Sequence, residues 1–430
     1  MTDSMTTSAA KPKVDVVVVG GGIAGLASAF ALSQQGLKVR LLERHSQFGE
    51  VGAGLQLGPN CNRILSQWGL LDEVISLGVV PDNLIARDGI SGEELTRLDL
   101  ADMRKRYGFP YLVIHRTDLH ATLLRACERA GVDLVTNAQV IGYDNVEGGA
   151  RALGDGWFEE AELVIAADGI HSVARPLLVQ DEPQNSSYVA YRAAVPAEVT
   201  KQFDCSLNDV VVYMGPRNHM VQYPLRAGEM FNIVAVFQSK KALEGQSDWG
   251  TPDELDAAFA ANHPNVQAAL RHMWRDRWWR MFDRKPIMNW INGRIALQGD
   301  AAHPPLQYLA QGAIMAIEDA WVLSEWVRRV GVSGGAAQGT PTGVDWEEVL
   351  RRYNAVRPPH CKRILETGHP WGELWHHTGE KRDWRNAILR SRDIHDYSFV
   401  DWLYTRTAMT PEEEMPMFPE WKGSWETVNA

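Results

Sequence analysis

Residues 14–19 read Val-Asp-Val-Val-Val-Val, a β-branched run with polar chain before it and three glycines after it. Such a run predicts a strand of a parallel sheet, buried on both faces. Behind the glycines, Ile23, Leu26, Ala27, Phe30 and Ala31 recur at helical spacing, and the helix closes near Gly36. Residues 38–42 form the next strand, so the chain opens with a complete strand–helix–strand unit. A glycine-rich stretch at 51–60 leads into a helix through Leu65 and Trp68. Residues 118–130 predict a helix with Leu119, Leu123, Leu124 and Cys127 on one face. Strands are expected at 132–135 and 140–143, and again at 161–167, where the run ends in Asp168-Gly169.

From about 188 to 237 the pattern changes to apolar–polar alternation, with strands at 188–192, 210–213, 219–224 and 231–237. This predicts an antiparallel sheet inserted into an α/β framework. Ile295-Ala296-Leu297 is one more short strand, ending at Gly299-Asp300, and 313–328 is helical. Residues 331–344 are rich in Gly, Thr and Ala and predict a surface connection.

Composition narrows the class. At 430 residues, 45% hydrophobic and 23% charged, the chain is long enough for two or three domains and is not a disordered polymer. Forty-three basic against fifty-four acidic residues give a net charge of −11, which argues against a surface that wraps nucleic acid or hugs an anionic membrane. An anionic substrate therefore needs a local basic pocket. Cys61, Cys127, Cys205 and Cys361 lie far apart with no C-x-x-C pair, so reduced thiols in a cytoplasmic protein are expected. Residues 1–13 lack the apolar core of a signal peptide, and no stretch approaches the ~18 apolar residues of a membrane span. Six tryptophans, Trp371, Trp375, Trp384, Trp402, Trp421 and Trp425, follow residue 370, which predicts a packed tail.

Gly20-x-Gly22-x-x-Gly25 sits between strand and helix, and Glu43 ends the next strand after seventeen intervening residues. The glycines allow a tight turn, a close backbone approach to a pyrophosphate and close helix–strand packing. Glu43 suits ribose hydroxyls, and Arg44 stands beside it. The fingerprint is shared by NAD and FAD. Two further elements, Asp168-Gly169 and Gly299-Asp300, place an aspartate at the carboxyl end of a strand, where open α/β sheets bind ligands.

Together these elements, with residues 48–56 (Phe-Gly-Glu-Val-Gly-Ala-Gly-Leu-Gln), Tyr107 to Tyr111, His115 to His120, His219 to Pro224 and Gly299 to Leu309, resemble the single-component FAD-dependent aromatic hydroxylases, the group A flavoprotein monooxygenases. The resemblance implies an α/β fold: a Rossmann-like FAD-binding core at 14–185 and 291–370, an inserted antiparallel substrate-binding sheet at 186–290, and a Trp-rich C-terminal helical extension at 371–430. It implies tightly bound FAD, with NADH as a transient co-substrate and O2 as oxidant. The expected reaction takes 3-hydroxybenzoate to 2,5-dihydroxybenzoate (gentisate). It further implies that Arg116 touches the flavin's phosphate or ribityl region, Val140 the adenine through its backbone, and Asp300 a ribityl hydroxyl. Asp168 is expected near the pyrophosphate and the nicotinamide's path, and Gly312 and Ala313 at the isoalloxazine edge. The family's G-x-G pair at that helix start reads Gly312-Ala313-Ile314 here. A homodimer is the family expectation. With one glycine fingerprint and no cysteine pair, a glutathione-reductase-like enzyme is disfavoured.

If 219–224 is a strand, alternation puts His219, Val221 and Tyr223 on one face. A histidine titrating near neutrality suits removal of a phenolic proton, which enriches the ring's ortho and para carbons. The alternative is a histidine closing a hydrogen bond at a sheet edge; the resemblance favours the base. Gln307, just after the flavin motif, is either a substrate-orienting amide or a loop residue facing water, and Tyr111 is expected to line the same pocket. His376-His377 are read as surface residues and no metal site is expected. The run Trp274 to Arg280 is read as packing and ion pairing. Three other functions stay open: decarboxylative hydroxylation of salicylate, a flavin oxidase independent of nicotinamide, and a non-catalytic flavin-bound redox module.

Overall fold

The computed structural model describes residues 14–49, 52, 54–330, 342–405, 408 and 409. The polar stretch 1–13, Glu50, Val51 and Ala53, most of the 331–344 connection, Trp421 and Trp425 lie outside the described residues.

A six-stranded sheet forms the core, ordered Ile291–Asn292, Ile295–Leu297, Leu163–Ala166, Val16–Val19, Val39–Leu42, Asp133–Val135. All neighbours run parallel except the first pair. Val16, Val17 and Val18 have no solvent exposure, because helix Ile23–Ser33 and a three-stranded antiparallel sheet of Gly142–Val146, Gly149–Gly154 and Trp157–Ala161 both pack on the core sheet. The register aligns Val19 with Ala166 and Leu42, and Ala166 with Leu297. The glycine turn, Glu43, Ala167-Asp168 and Gly299-Asp300 therefore leave the sheet along one edge, although almost 280 residues of chain separate the first from the last.

The second sheet has seven strands, ordered Trp279–Asp283, Gln184–Pro196, Met230–Gln238, Asn218–Leu225, Asp209–Gly215, Asn83–Asp88, Glu94–Asp99. The four strands expected from alternation are all present and longer than the pattern suggested. The insert does not complete this sheet alone. Asn83–Asp88, from the first part of the core, pairs in parallel with Asp209–Gly215 and covers an edge that would otherwise offer unpaired backbone groups. One face packs Tyr191, Met220, Phe231 and Ile233 against Trp249, Phe259 and Val266. The opposite face carries His219, Val221 and Tyr223 toward a cavity, as the alternation predicts.

Other expectations need correction. The strand expected at 140–143 is Gly142–Val146, leaving Val140 in an extended segment before it. The expected boundary at 370/371 falls inside a helix, Trp346–Trp375, which contains Pro358, Pro359 and Pro370. Those prolines argue locally against a continuous helix, and burial of Trp346, Tyr353, Val356, Ile364 and Leu374 along it outweighs that local cost. Helices Gly379–Ser391 and Ser398–Tyr404 follow. The first of them docks on the second sheet through Asp88, which has no solvent exposure: Arg382 Nη2 lies 2.6 Å from one carboxylate oxygen, and Arg385 Nη2 and Asn386 Nδ2 lie 3.1 and 2.9 Å from the other. Trp371 stacks on Phe399 at 5.9 Å, so the described part of the tail is packed.

In the run 274–280, Arg275 forks onto Asp256 at 2.7 and 2.8 Å, Trp278 stacks on Tyr191, and Arg280 covers the Trp249 ring. Among the described residues no helix is long and apolar enough to cross a membrane.

Candidate active site

A cavity of about 1030 Å³ runs from the glycine turn to the second sheet. At its nucleotide end the turn is tightly built. A Cβ on Gly25 would lie 1.8 Å from the Gly20 carbonyl oxygen, and one on Gly20 would lie 2.3 Å from that of Ala167, so turn, helix and neighbouring strand touch through backbone alone. Gly22 caps helix Ile23–Ser33 with no side-chain hydrogen bond and no acidic residue in its first turn, and Gly22, Ile23 and Ala24 line the cavity. These open N–H groups and the helix dipole fit a pyrophosphate. Glu43 Oε2 accepts from Gly21 N at 2.7 Å, and His120 Nε2 pairs with the Gly21 carbonyl oxygen at 2.8 Å, so both flanks of the turn are pinned.

Beyond the pyrophosphate position, Arg116, Asp300 and the start of helix Gly312–Val330 at Gly312 and Ala313 also line the cavity. The Gly299-Asp300 turn is held from beneath. Gly299, at φ +59°, donates its N–H to Asp319 Oδ2 at 3.1 Å, and His303 Nε2 and Arg357 Nε meet the same carboxylate at 2.6 and 2.8 Å. Arg357 also pairs with Glu318 at 2.9 Å, and the charge of Arg357 holds the Glu318 carboxyl well below its usual range despite burial that pushes it up. His303, Asp319 and Cys361 lie close enough to suggest a metal site. Arg357 supplies the cation there, 3.4 Å from Cys361. A dinucleotide carrying a ring system fits this cradle end to end: an anion site at one helix start, a carboxylate for hydroxyls, and a second helix start at the far end.

At the ring end, His219 has no solvent exposure, and burial lowers its pKa to about 3. This corrects the expectation of a histidine titrating near neutrality: desolvation makes the charged form costly, and the ring is neutral. Its Nδ1 lies 2.7 Å from Nε2 of His376, and its Nε2 lies 3.4 Å from Gln307 Nε2. His376 and His377 are thus buried, not on the surface. The helix Trp346–Trp375 ends against the second sheet and carries both inward. Trp375 and Tyr308 wall the same space.

The Tyr223 ring packs on Gly54, where a Cβ would lie 2.7 Å from its oxygen. Burial pushes the Tyr223 phenol up, while Arg192 and a hydrogen bond with Gln56 oppose that shift. Gln56 Oε1 accepts from Tyr111 at 2.6 Å. Arg192 lines the cavity on the same sheet face, because Val221 pairs with Val234 and Val234 with Arg192. Its guanidinium lies 5.7 Å from the centre of the Trp279 ring, and burial lowers its pKa. The cavity's other arginines all have partners: Arg97 meets Glu94, Arg385 meets Asp88, Arg392 meets backbone oxygens, and Arg116 is also engaged. Arg192 has no such acceptor among the described residues.

Of the expected residues, His219, Tyr223, Gln307, Tyr111, Gly22, Arg116, Gly299, Asp300, Gly312 and Ala313 meet in this one cavity. Gly20 and Gly25 build the turn. Glu43 and Val140 lie outside the cavity lining, on neighbouring segments tied by the Ala138 N to Glu43 O hydrogen bond of 2.8 Å. Arg44 is exposed at the strand end. Asp168 Oδ2 accepts from Tyr143 at 3.1 Å and from Val173 N at 2.9 Å, while Ala167 and Gly169 on either side line the cavity. Sequence reasoning missed Gln56, Arg192 and His376. Arg192 left one signal, a lone charge within an otherwise apolar alternating strand.

Comparison with known proteins agrees with this geometry. The family described as "FAD binding domain" matches residues 13–339. The 3-hydroxybenzoate 6-hydroxylase of Klebsiella oxytoca is 35% identical, over 90% of this chain and 96% of its own length. The 3-amino-4-hydroxybenzoate 2-monooxygenase of Streptomyces cremeus is 33% identical, over 93% and 97%. Among solved structures, a salicylate hydroxylase substrate complex superposes with a TM-score of 0.74 at 24% identity, over 92% of this chain and 96% of that one. HpxO of Klebsiella pneumoniae with FAD and uric acid gives 0.76 at 22%, over 92% and 96%. With its flavin cradle and buried ring pocket on one sheet edge, the chain belongs to the FAD binding domain family, as an FAD-dependent flavoprotein monooxygenase.

Proposed function

We propose that the chain hydroxylates 3-hydroxybenzoate para to its hydroxyl, giving 2,5-dihydroxybenzoate. NADH, a proton and O2 are consumed, and NAD+ and water are released. The observation that carries this reading is the placement of neutral His219, beside Gln307, on the same sheet face as the acceptor-less Arg192, in the cavity of the flavin cradle. The names of the Klebsiella oxytoca and Streptomyces cremeus relatives, each an oxygenase of a hydroxylated benzoate, support it.

FAD, held at the Gly22 helix start, Arg116, Asp300 and the Gly312 helix start, would supply the redox chemistry of hydride acceptance and transfer of one oxygen atom of O2. The protein supplies position and charge. Arg192 faces the carboxylate, the one group on this substrate that is anionic before reaction. His219 Nε2 takes the phenolic proton, and the phenolate formed beside it provides the counter-charge that offsets the desolvation of the imidazolium. Tyr223 and Gln307 orient the ring. Val221, Val234, Tyr308 and Trp375 keep water from the reacting carbon. Cytoplasmic placement and a homodimer belong to the same reading; the four cysteines, none in a disulfide, support a reducing compartment.

The test is to purify the holoenzyme and follow NADH oxidation with each monohydroxybenzoate, identifying products by chromatography. Stimulation by 3-hydroxybenzoate with 2,5-dihydroxybenzoate as product is expected. Carbon dioxide release from salicylate, or NADH oxidation indifferent to every ring, overturns the reading.

A further inference from the structure

We propose that His376 is a positioning residue for ring hydroxylation: it accepts the Nδ1 proton of His219 and so fixes the tautomer whose Nε2 lone pair faces the substrate hydroxyl. The inference rests on the reaction proposed above.

The two imidazoles share one short contact, Nδ1 of His219 to Nε2 of His376 at 2.7 Å. Their planes differ by 23° with centroids 5.0 Å apart, an edge-to-edge arrangement suited to a single in-plane N–H···N bond. Only one of the two nitrogens can carry the proton. With its amide oriented as in the structure, Gln307 selects between them, because its nitrogen, 3.4 Å from His219 Nε2, can only donate. His219 Nε2 therefore accepts, its proton resides on Nδ1, and His376 Nε2 receives that proton's hydrogen bond. The remaining hydrogen of His376 falls on Nδ1, which has no hydrogen-bond partner in its buried position.

His376 is itself held in place. Its ring lies over Tyr188 at 4.7 Å, its backbone N–H donates to the Glu373 carbonyl at 3.1 Å, and its backbone carbonyl accepts from Arg217 N at 3.0 Å. The charged and titratable groups around it are His219, His377, Arg385 and the phenols of Tyr188 and Tyr308, and Arg385 donates to the Trp375 carbonyl at 2.7 Å. A cation this close discourages His376 from taking a full proton. It stays an acceptor, and the proton drawn from the phenol stays on His219. In that step the phenolic O–H bond breaks, the electron pair remains on oxygen, and the Nε2–H bond of His219 forms. The Nδ1–H···Nε2 bond to His376 strengthens as His219 becomes cationic.

The first test reads the unaltered pair. Selective 15N-histidine labelling of the FAD-loaded protein, with His219 assigned by comparison with His219→Gln, reads the tautomer directly. A protonated-type Nδ1 and an unprotonated-type Nε2 are expected; the opposite pattern overturns the proposal even if the substrate turns out to be another ring. The second test compares His376→Leu with His376→Gln, whose amide oxygen restores an acceptor. His376→Leu is expected to lower kcat with 3-hydroxybenzoate by about tenfold or more. FAD content should be unchanged and KM within about threefold, and His376→Gln should recover most of the lost rate. Equal losses in both variants, or a rise in KM at constant kcat, overturn it. Inactivity of the unaltered enzyme on every hydroxybenzoate instead sinks the reaction assignment and leaves the tautomer measurement to decide this point.

Discussion

Gly54 and Tyr223 are packed so closely that a methyl group on Gly54 would stand 2.3 Å from the nearest ring carbon of the tyrosine. Gly54 also donates its N–H to Asn232 Oδ1 at 2.9 Å, so the strand cannot retreat freely. Gly54→Ala must therefore turn the Tyr223 ring into the cavity. FAD binding should survive, while more NADH is consumed per product formed. The measurement is hydrogen peroxide released against 2,5-dihydroxybenzoate formed; an unchanged ratio removes Tyr223 from ring orientation.

Arg192 is expected to read charge. Arg192→Gln should weaken 3-hydroxybenzoate binding by about 2 kcal/mol or more, roughly thirtyfold, since it removes the charged partner of a carboxylate. Binding of the uncharged 3-hydroxybenzamide should change little. Titration of the flavin absorbance with both ligands separates the effects, and equal weakening of the two would assign Arg192 to the pocket's shape.

Asp319 is the hinge between charge and cofactor. Asp319→Asn removes the carboxylate that holds the Gly299 backbone and leaves Arg357 and His303 short of negative charge. Breaking a buried pair in this way costs about 3–5 kcal/mol. A lowered melting temperature with loss of FAD on gel filtration is expected, and retention of both would show that the Gly299-Asp300 turn holds without it.

Stability should fall on the acid side for a reason visible at His219. Its pKa is about 3 in the folded chain against an ordinary 6.5, so between those values the unfolded chain binds a proton that the native one does not. The contribution is present above pH 6.5 and is lost as pH falls toward 3, at up to about 1.4 kcal/mol per pH unit for one such group. His376, lowered by burial and by its neighbours His219 and Arg385, adds in the same direction. Urea unfolding at pH 7 and pH 5 should give a smaller pH dependence in His219→Asn than in the unaltered chain. An identical dependence would mean that His219 is not neutral in the fold.

Much of this architecture is written locally. The valine run, the glycine turn and Glu43 fix a strand–helix–strand unit, since buried parallel strands and phosphate turns each demand particular residues at fixed spacing. Period-two alternation places His219, Val221 and Tyr223 on one face because successive strand residues point to opposite sides. The three flavin motifs are recognisable one by one for the same reason. What alternation leaves open is which distant segment covers each face. The partner of His219 arrives from a helix more than 150 residues later, through three prolines that argue against that helix locally. Arg192 gives no sign in sequence that no carboxylate among the described residues reaches it. Residue spacing determined the turns and the sheet faces, because those depend on neighbours along the chain. Tertiary packing alone decided that His219 is neutral and that Arg192 meets no carboxylate among the described residues, because desolvation and pairing depend on everything that closes around a side chain.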